Sequence, residues 1–567
     1  MLGLGLRLAV YAGRRPLWLD EASLALNIAS RSPASLAGTL DYHQFAPMPF
    51  LWAEWLVTRS VGVSEYSLRA VPLAAGVLLL LVIWPVARQL LGELPAVVVT
   101  ALASISLPLI YYSSEVKQYG VDACTTVVLL ALVLSVVRHA ESSKAWRRLL
   151  VGGMLGLWIS QPSIFILAGS GAALIAEPRV RAAPRWRRDV ALTLGVWSSA
   201  FFILYVLTYR QGTADPYLRQ YWEGTFLLPG APDIVHRVLR AARYTLVEPV
   251  FRPVSANWFA AAYALGGLFL VGLYAAVRRH GLSAALLLTV PYGAVGVASA
   301  LGKYPIADRL LLFLSPLLFM VYGAAIGILV DQLPLRARRG ATAIVVGLLF
   351  AWRARSVFEF TTHPPLISGD TRGVISQIEQ GNQGEPVYLY VEGVPLWMFY
   401  TTDWHAPDRQ RLRWAAHSQA AAQANQGKNG DGSSEDSLIR GFRGRREVIG
   451  LPSGVEALAG VAPEDLPAHP DSGWAQAEVR RILHAGVGRD AWLFVSSASD
   501  AELQALLAAV ARRGGRIEWQ RGNGTVAYRV RFRSAKDSVS TPHISRGPQG
   551  HSALPPLADV FRNHPGR

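Results

Sequence analysis

Asp20 and Glu21 stand side by side in RRPLWLDEASLALNIA (14–29), where an apolar stretch ends. Adjacent carboxylates near a membrane surface repel each other and are costly to dehydrate. A metal, a cationic neighbour or water must compensate them. Two further stretches carry the same kind of polar residue close to apolar runs. YYSSEVKQYGVD holds Glu115, Lys117 and Tyr119, and GKYPIADR holds Lys303, Tyr304 and Arg309. His43 lies in YHQFAPMPFLW, downstream of the acidic pair. Brought together, these residues mix carboxylates and cations beside a bilayer. Such a mix suits a phosphate-bearing lipid: cations hold the phosphate, and a carboxylate activates a nucleophile or holds a metal.

Each residue also has a plainer reading. Asp20 can cap the helix EASLALNIAS, and Glu21 can be a first-turn acid. Glu115 and Lys117 can be solvated turn residues. Lys303 and Tyr304 can be interface anchors, as can Trp18, Trp52 and Trp55. His43 alone reads as a surface residue before it reads as a ligand. Arg309 lies one residue inside an apolar run, where a charge needs a partner.

The elements that must position these residues are membrane helices. The chain is 51% hydrophobic and 17% charged, against roughly 25% charged for a soluble enzyme. Its apolar runs are long enough to cross a hydrocarbon core of about 30 Å. They predict spans at 70–88, 94–112, 118–137, 189–209, 258–277, 282–300, 309–331 and 341–355. Two shorter runs, 149–160 and 162–177, meet at Gln161-Pro162. MLGLGLRLAVYAG, with Arg7 in its middle, is too short to span comfortably and has no convincing cleavage site. It reads as a first span that has lost its beginning. The expectation is a polytopic α-helical membrane protein with about 11 transmembrane helices.

The net charge of +16 does not point to nucleic acid. The basic residues fill alternate connections: Arg138 to Arg148, Arg179 to Arg188, Arg278-Arg279 and Arg336 to Arg339. The positive-inside rule puts those inside, and puts 13–69, 113–117, 210–257, 301–308 and everything after 356 outside. Cys124, the single cysteine, sits in an apolar run and reads as a structural thiol. DIVHRVLRAARYTLVEPV, in the 210–257 loop, has the spacing of an interfacial amphipathic helix, and loop 13–69 is expected to hold interfacial helices too.

Composition divides the chain at 355/356. Beyond it, PVYLYVEG, DAWLFVSS and GTVAYRVRF read as strands and DAELQALLAAVARRGG as a helix ending at Gly514, giving an outer α/β domain over 356–567. Within it, 421–437 reads as a flexible insert, as does the tail from about 535. His363 and His405 lack metal-ligand spacing. A role for this domain in acceptor recognition or in covering the site is an expectation.

Together, LWLDEA, HQFAPMPFLW, YYSSEVKQYGVD and KYPIADRLLLFLSP resemble the membrane-embedded GT-C glycosyltransferases. The likeness is to glycosyltransferase family 39 and dolichyl-phosphate-mannose mannosyltransferase-like proteins, including lipopolysaccharide-core transferases, and it covers residues 1–355. The W-x-D-E element is its strongest part, and the Y-x-x-E-x-K-x-Y turn, which ends on Tyr119, is more specific than K-Y-P…R. Pro47-Met48-Pro49 departs from the family's doubled proline. No Rossmann fingerprint or P-loop occurs, so a cytosolic nucleotide-sugar enzyme is not supported.

The resemblance implies inverting transfer of a sugar from a polyprenyl-phosphate donor to a hydroxyl on a glycan, lipid or protein acceptor. The place would be the outer face of a bacterial cytoplasmic membrane. It implies catalytic roles for Asp20, Glu21 and Glu115, with Asp20 as general base. Lys117, Lys303 and Arg309 would neutralise the donor phosphate, and His43, Tyr119 and Tyr304 would complete the substrate site. A divalent metal, if any, would sit at Asp20 and Glu115. Two other readings of the residues stand beside it. A lipid-linked-sugar transporter should show paired halves with matched helix breaks, and only one break is visible. A membrane scaffold would not need this set of charges on one face.

Overall fold

The structure is a computed structural model. It describes residues 1–209, 216–251, 258–363, 369–381, 385, 387–389, 393–402, 404, 448–449, 490–496, 500–512, 515–521 and 525–532. The expected insert 421–437, the tail from about 535, Gly514 and His405 lie outside them.

Six helices among the described residues are long and apolar enough to cross a membrane, where the sequence suggests about eleven spans. The difference lies in breaks and short helices. The expected span 94–112 divides at Ser106, which is extended, and Pro108 opens the next short helix. The result is α5 (Glu93–Ile105) and α6 (Leu107–Tyr112). Around Gln161-Pro162 lie α8 (Ser143–Ile159) and α9 (Ser163–Ala176), both below spanning length. α1 (Leu2–Ala12) is short, as its sequence indicates.

The segment Trp258–Ala300 is helical over 43 residues except at Gly281. Such a length, about 65 Å, is twice a bilayer core. Gly281 has φ 83, open to a residue without Cβ, and divides the segment into two membrane-length pieces. Gly92, with φ 92, makes the same break between α4 (Ala70–Leu91) and α5. The other helices that matter for the site are α2 (Leu19–Ser30), α3 (Met48–Val61) and α7 (Tyr119–Arg138).

The last membrane-length helix, Leu335–Thr362, runs past the 355/356 boundary. Beyond it lies a five-stranded sheet: β1 (Val387–Leu389), β2 (Val448–Ile449), β3 (Ala491–Ser496), β4 (Gly515–Arg521) and β5 (Thr525–Phe532). The strand order is β2-β1-β3-β5-β4, with β1 parallel to β2 and β3, and β5 antiparallel to β3 and β4.

Alternate residues of these strands face two different layers. Tyr388, Leu493, Val495, Tyr528 and Val530 pack against Leu506, Ala509 and Val510 of the helix Asp500–Arg512. Val387, Leu389, Trp492, Phe494 and Ala527 join a cluster with Leu17, Leu24, Ile28, Phe50 and Leu51. Helices Thr371–Gln380 and Val394–Thr401 contribute Val374, Ile378, Trp397 and Phe399 to that cluster. The segments on either side of 355/356 thus share one core. The first connection, 13–69, belongs to the cluster that covers this second face of the sheet.

Candidate active site

α2 begins at Leu19, with Trp18 as its cap residue. Asp20 and Glu21 therefore occupy the first turn, on different sides of it. Glu21 is wholly buried. Arg69 grips it with two hydrogen bonds, Nε to Oε1 at 2.9 Å and NH2 to Oε2 at 2.7 Å. The Val116 amide donates to Oε1 at 2.9 Å and the Trp18 amide to Oε2 at 3.3 Å, while Arg15 stands 3.9 Å away. Burial pushes the carboxyl up, but Arg69 and Arg15 outweigh it and hold Glu21 below the usual range. Its acceptors are committed to tying 15–21, 69 and 116 into one block.

Asp20 points the other way and is 22% exposed. Arg309 NH1 lies 2.9 Å and Lys117 Nζ 3.6 Å from Oδ2. Gln44 joins them, donating to Asp20 Oδ1 at 3.3 Å and accepting from Lys117. The Arg309 guanidinium is walled by the rings of Trp18, Tyr119 and Trp222, with centroids 5.5, 5.8 and 5.4 Å from Cζ. Three connections distant in sequence meet here, and Trp222 brings a fourth.

Glu115 is buried behind this group. Trp18 Nε1 donates to its Oε1 at 3.3 Å. Burial and the charge of Glu21 push Glu115 up to about 7, against the pull of Arg15, Arg309 and Lys117. Lys117 is drawn below the usual ammonium range by burial, against the pull of Asp20.

A carboxyl raised on folding favours the folded state at low pH and loses that favour as pH climbs through its folded value. The window for Glu115 runs from its ordinary 4.5 to about 7. Glu115→Gln should therefore flatten the fall of Tm between pH 5 and 8, by a few °C, in scans of the detergent-solubilised protein. Equal slopes for variant and wild type would show that Glu115 does not titrate there.

The remaining residues lie around this group. His43 has φ 51 and Tyr42 φ 62, so both take left-handed backbone beside Gln44. The Tyr304 hydroxyl donates to the Leu310 carbonyl at 2.8 Å and its ring packs 5.0 Å from Phe165, as an anchor would. Lys303 is exposed, and its ammonium makes none of the contacts that join Asp20, Gln44, Lys117 and Arg309.

Sequence reasoning did not single out Gln44, Trp222, Arg15 or Arg69. Only Arg69 had a signal, since an arginine at the start of a 22-residue apolar helix calls for a partner.

Among the described residues no group of three or more His, Cys, Asp or Glu side chains comes together to hold a metal. The Asp20 carboxylate already faces two cations, and the neighbouring Glu21 carboxylate is taken up by Arg69 and two amides. A donor set of this kind suits an anion, not a divalent cation.

The grip on this connection extends to the far end of the chain. The Leu17 amide donates to the Tyr400 hydroxyl at 2.7 Å, and that hydroxyl donates to Glu65 at 3.2 Å. Arg14 and Arg372 lie 3.1 and 3.4 Å from the same Glu65 carboxylate.

Residues 46–209 match the family model for dolichyl-phosphate-mannose-protein mannosyltransferases. The match spans 164 of the 567 residues, and over them the chain is similar to that family. The mannosyltransferase match takes in Arg69, Glu115, Lys117 and Tyr119; the fold sets Lys117 against Asp20, Tyr119 against Arg309 and Arg69 against Glu21, three partners from outside it. No curated protein matches the chain.

Among solved structures, the chain is similar to ArnT from Cupriavidus metallidurans in the apo state, with 13% identity over 92% of this chain and 96% of that one, at TM-score 0.49. The same protein bound to undecaprenyl phosphate matches at 16% identity, over 95% and 98%, with TM-score 0.44. Archaeal oligosaccharyltransferase AglB from Archaeoglobus fulgidus, in complex with an inhibitory peptide and a dolichol-phosphate, matches at 12% identity over 93% and 73%, with TM-score 0.47.

Proposed function

We propose that this protein is an inverting glycosyltransferase that moves a sugar from a polyprenyl-phosphate donor to an acceptor hydroxyl at the membrane surface. One observation carries the reading: a partly exposed Asp20 held between Lys117 and Arg309 at the end of a membrane bundle. The mannosyltransferase match over 46–209 supports it.

The donor phosphate takes the place of Asp20 as the partner of the two cations. Asp20 is then left to accept a proton. The acceptor oxygen attacks the anomeric carbon as its proton passes to the Asp20 carboxylate. The bond from that carbon to the phosphate oxygen breaks, and polyprenyl phosphate leaves with the bonding pair. Lys117 and Arg309 stabilise the charge that develops on it, in a cleft walled off from water by aromatic rings. Glu21 holds the block that carries Asp20, and Glu115 stands behind the site to position the acceptor. Arginine-rich connections on the opposite side of the bundle support a site on the outer face of a bacterial cytoplasmic membrane.

The test is transfer from radiolabelled polyprenyl-phosphate sugars in membranes containing the protein. Label should move to a glycan, lipid or protein acceptor. No transfer from any donor of a broad panel, with folded protein present, would sink the reading. Arg309→Lys keeps the charge but loses the flat face set among three rings, worth about 1–2 kcal/mol. It should raise KM for the donor about tenfold. An unchanged KM would remove Arg309 from phosphate binding.

A further inference from the structure

α7 carries polar atoms, one turn below the site, that this mechanism does not use. Asp122 follows Tyr119 by three residues, on the same face and about 5 Å deeper along the helix. It is 6% exposed, and its Oδ1 has no hydrogen-bond partner among the described residues. Ser160, at the break between α8 and α9, is wholly buried and lies close enough to hydrogen-bond to the Asp122 carboxylate. Tyr209 and Tyr304 are near enough to feel the Asp122 charge. Their hydroxyls are committed elsewhere, to the carbonyls of Leu157 and Leu310 at 2.8 Å each. Phe45 packs edge-on to the Tyr209 ring at 6.4 Å. Its chain neighbour Gln44 is the residue that bridges Asp20 and Lys117.

A buried carboxylate oxygen without a donor costs free energy until something donates to it. Acceptors bounded by aromatic rings repel a phosphate. They suit a ring that offers hydroxyl donors at its edge and C–H groups on its face. Asp122 lies about one helical turn along α7 from Tyr119, whose ring packs beside the Arg309 guanidinium, a step of the size of a single sugar.

We propose that Asp122 and Ser160 bind the hydroxyl groups of the sugar carried by the lipid-phosphate donor, and so select which sugar is accepted. The proposal rests on the transferase reading.

The test measures binding to purified protein in nanodiscs of bare polyprenyl phosphate and of polyprenyl phosphates carrying mannose, glucose, galacturonate or aminoarabinose. Wild type should bind at least one sugar-bearing probe more tightly than the bare lipid. Asp122→Asn should weaken that probe about tenfold and leave the bare lipid unchanged. Ser160→Ala should weaken it several-fold in the same selective way, and it decides the matter if Asp122→Asn fails to fold. Equal binding of all probes by wild type, or variants that bind as wild type does or lose both kinds of probe alike, would overturn the sugar site alone. Wild type that binds no probe, bare lipid included, would overturn the transferase reading with it.

Discussion

Asp20→Asn should lower sugar transfer by about 10²–10⁴-fold, the contribution of a positioned general base. The substitution keeps the shape of the side chain and removes only its ability to take a proton. Asp20 is partly exposed and its partners are two cations and an amide, so the fold should survive. Transfer in expression-matched membranes, read beside the thermal unfolding of the same preparation, separates chemistry from stability. Donor binding should hold or strengthen, because Lys117 and Arg309 no longer have to leave Asp20. A variant within tenfold of wild type would move the base to another acid, with Glu115 the first to test.

Arg69→Ala should be the most damaging substitution for the fold. Arg69 and Glu21 are both buried, and the pair shares two hydrogen bonds. Removing Arg69 leaves the buried Glu21 charge with only the more distant Arg15 and two amide donors, a loss approaching that of a broken buried pair, about 3–5 kcal/mol. The variant should express poorly and unfold at a lower temperature. Removing both charges with residues of similar volume, as in Glu21→Gln with Arg69→Met, should recover much of that loss, since the desolvation of two ions is then avoided. A double variant no more stable than Arg69→Ala would show that the contacts of Arg69 with the backbone of Arg15 and Pro16 matter more than the ion pair. This is also why Glu21 fits poorly as a substitute for Asp20: its oxygens are already occupied.

Much of the site was legible in the sequence because charges next to apolar runs are expensive and rare. Asp20, Glu115, Lys117 and Arg309 stood out on that ground, and they do converge. The pattern could not say which of two adjacent acids turns inward. That depended on Arg69, which is 48 residues away in sequence and reads as one more basic residue before a span. Gln44 carries no charge and Trp222 lies in a long loop, so neither had a local signal. Lys303 and Tyr304 already had a plainer reading as interface anchors, and the turn at Gly302, with φ 65, leaves Lys303 exposed while the Tyr304 ring goes to Phe165.

The helical bundle followed from run length, and the break at Pro162 was legible with it; the break before Pro108, inside the expected span 94–112, was not. The strands β1, β3 and β5 and the helix Asp500–Arg512 were legible from alternation and turn signals. What the sheet rests on was not. Periodicity shows that Trp492 and Phe494 face a core; it cannot show that the core includes Leu17 and Phe50.

That shared core has a consequence in time. Leu17 and Tyr400, joined in the finished fold, are 383 residues apart. A ribosome adding about 5–20 residues per second leaves the connection that bears Asp20 without its cover for tens of seconds. During that interval Leu17, Leu24 and Phe50 lack the later-made part of the cluster they share with the sheet. The residues of the site, the last of them Arg309, are therefore made well before the segment that finishes their support.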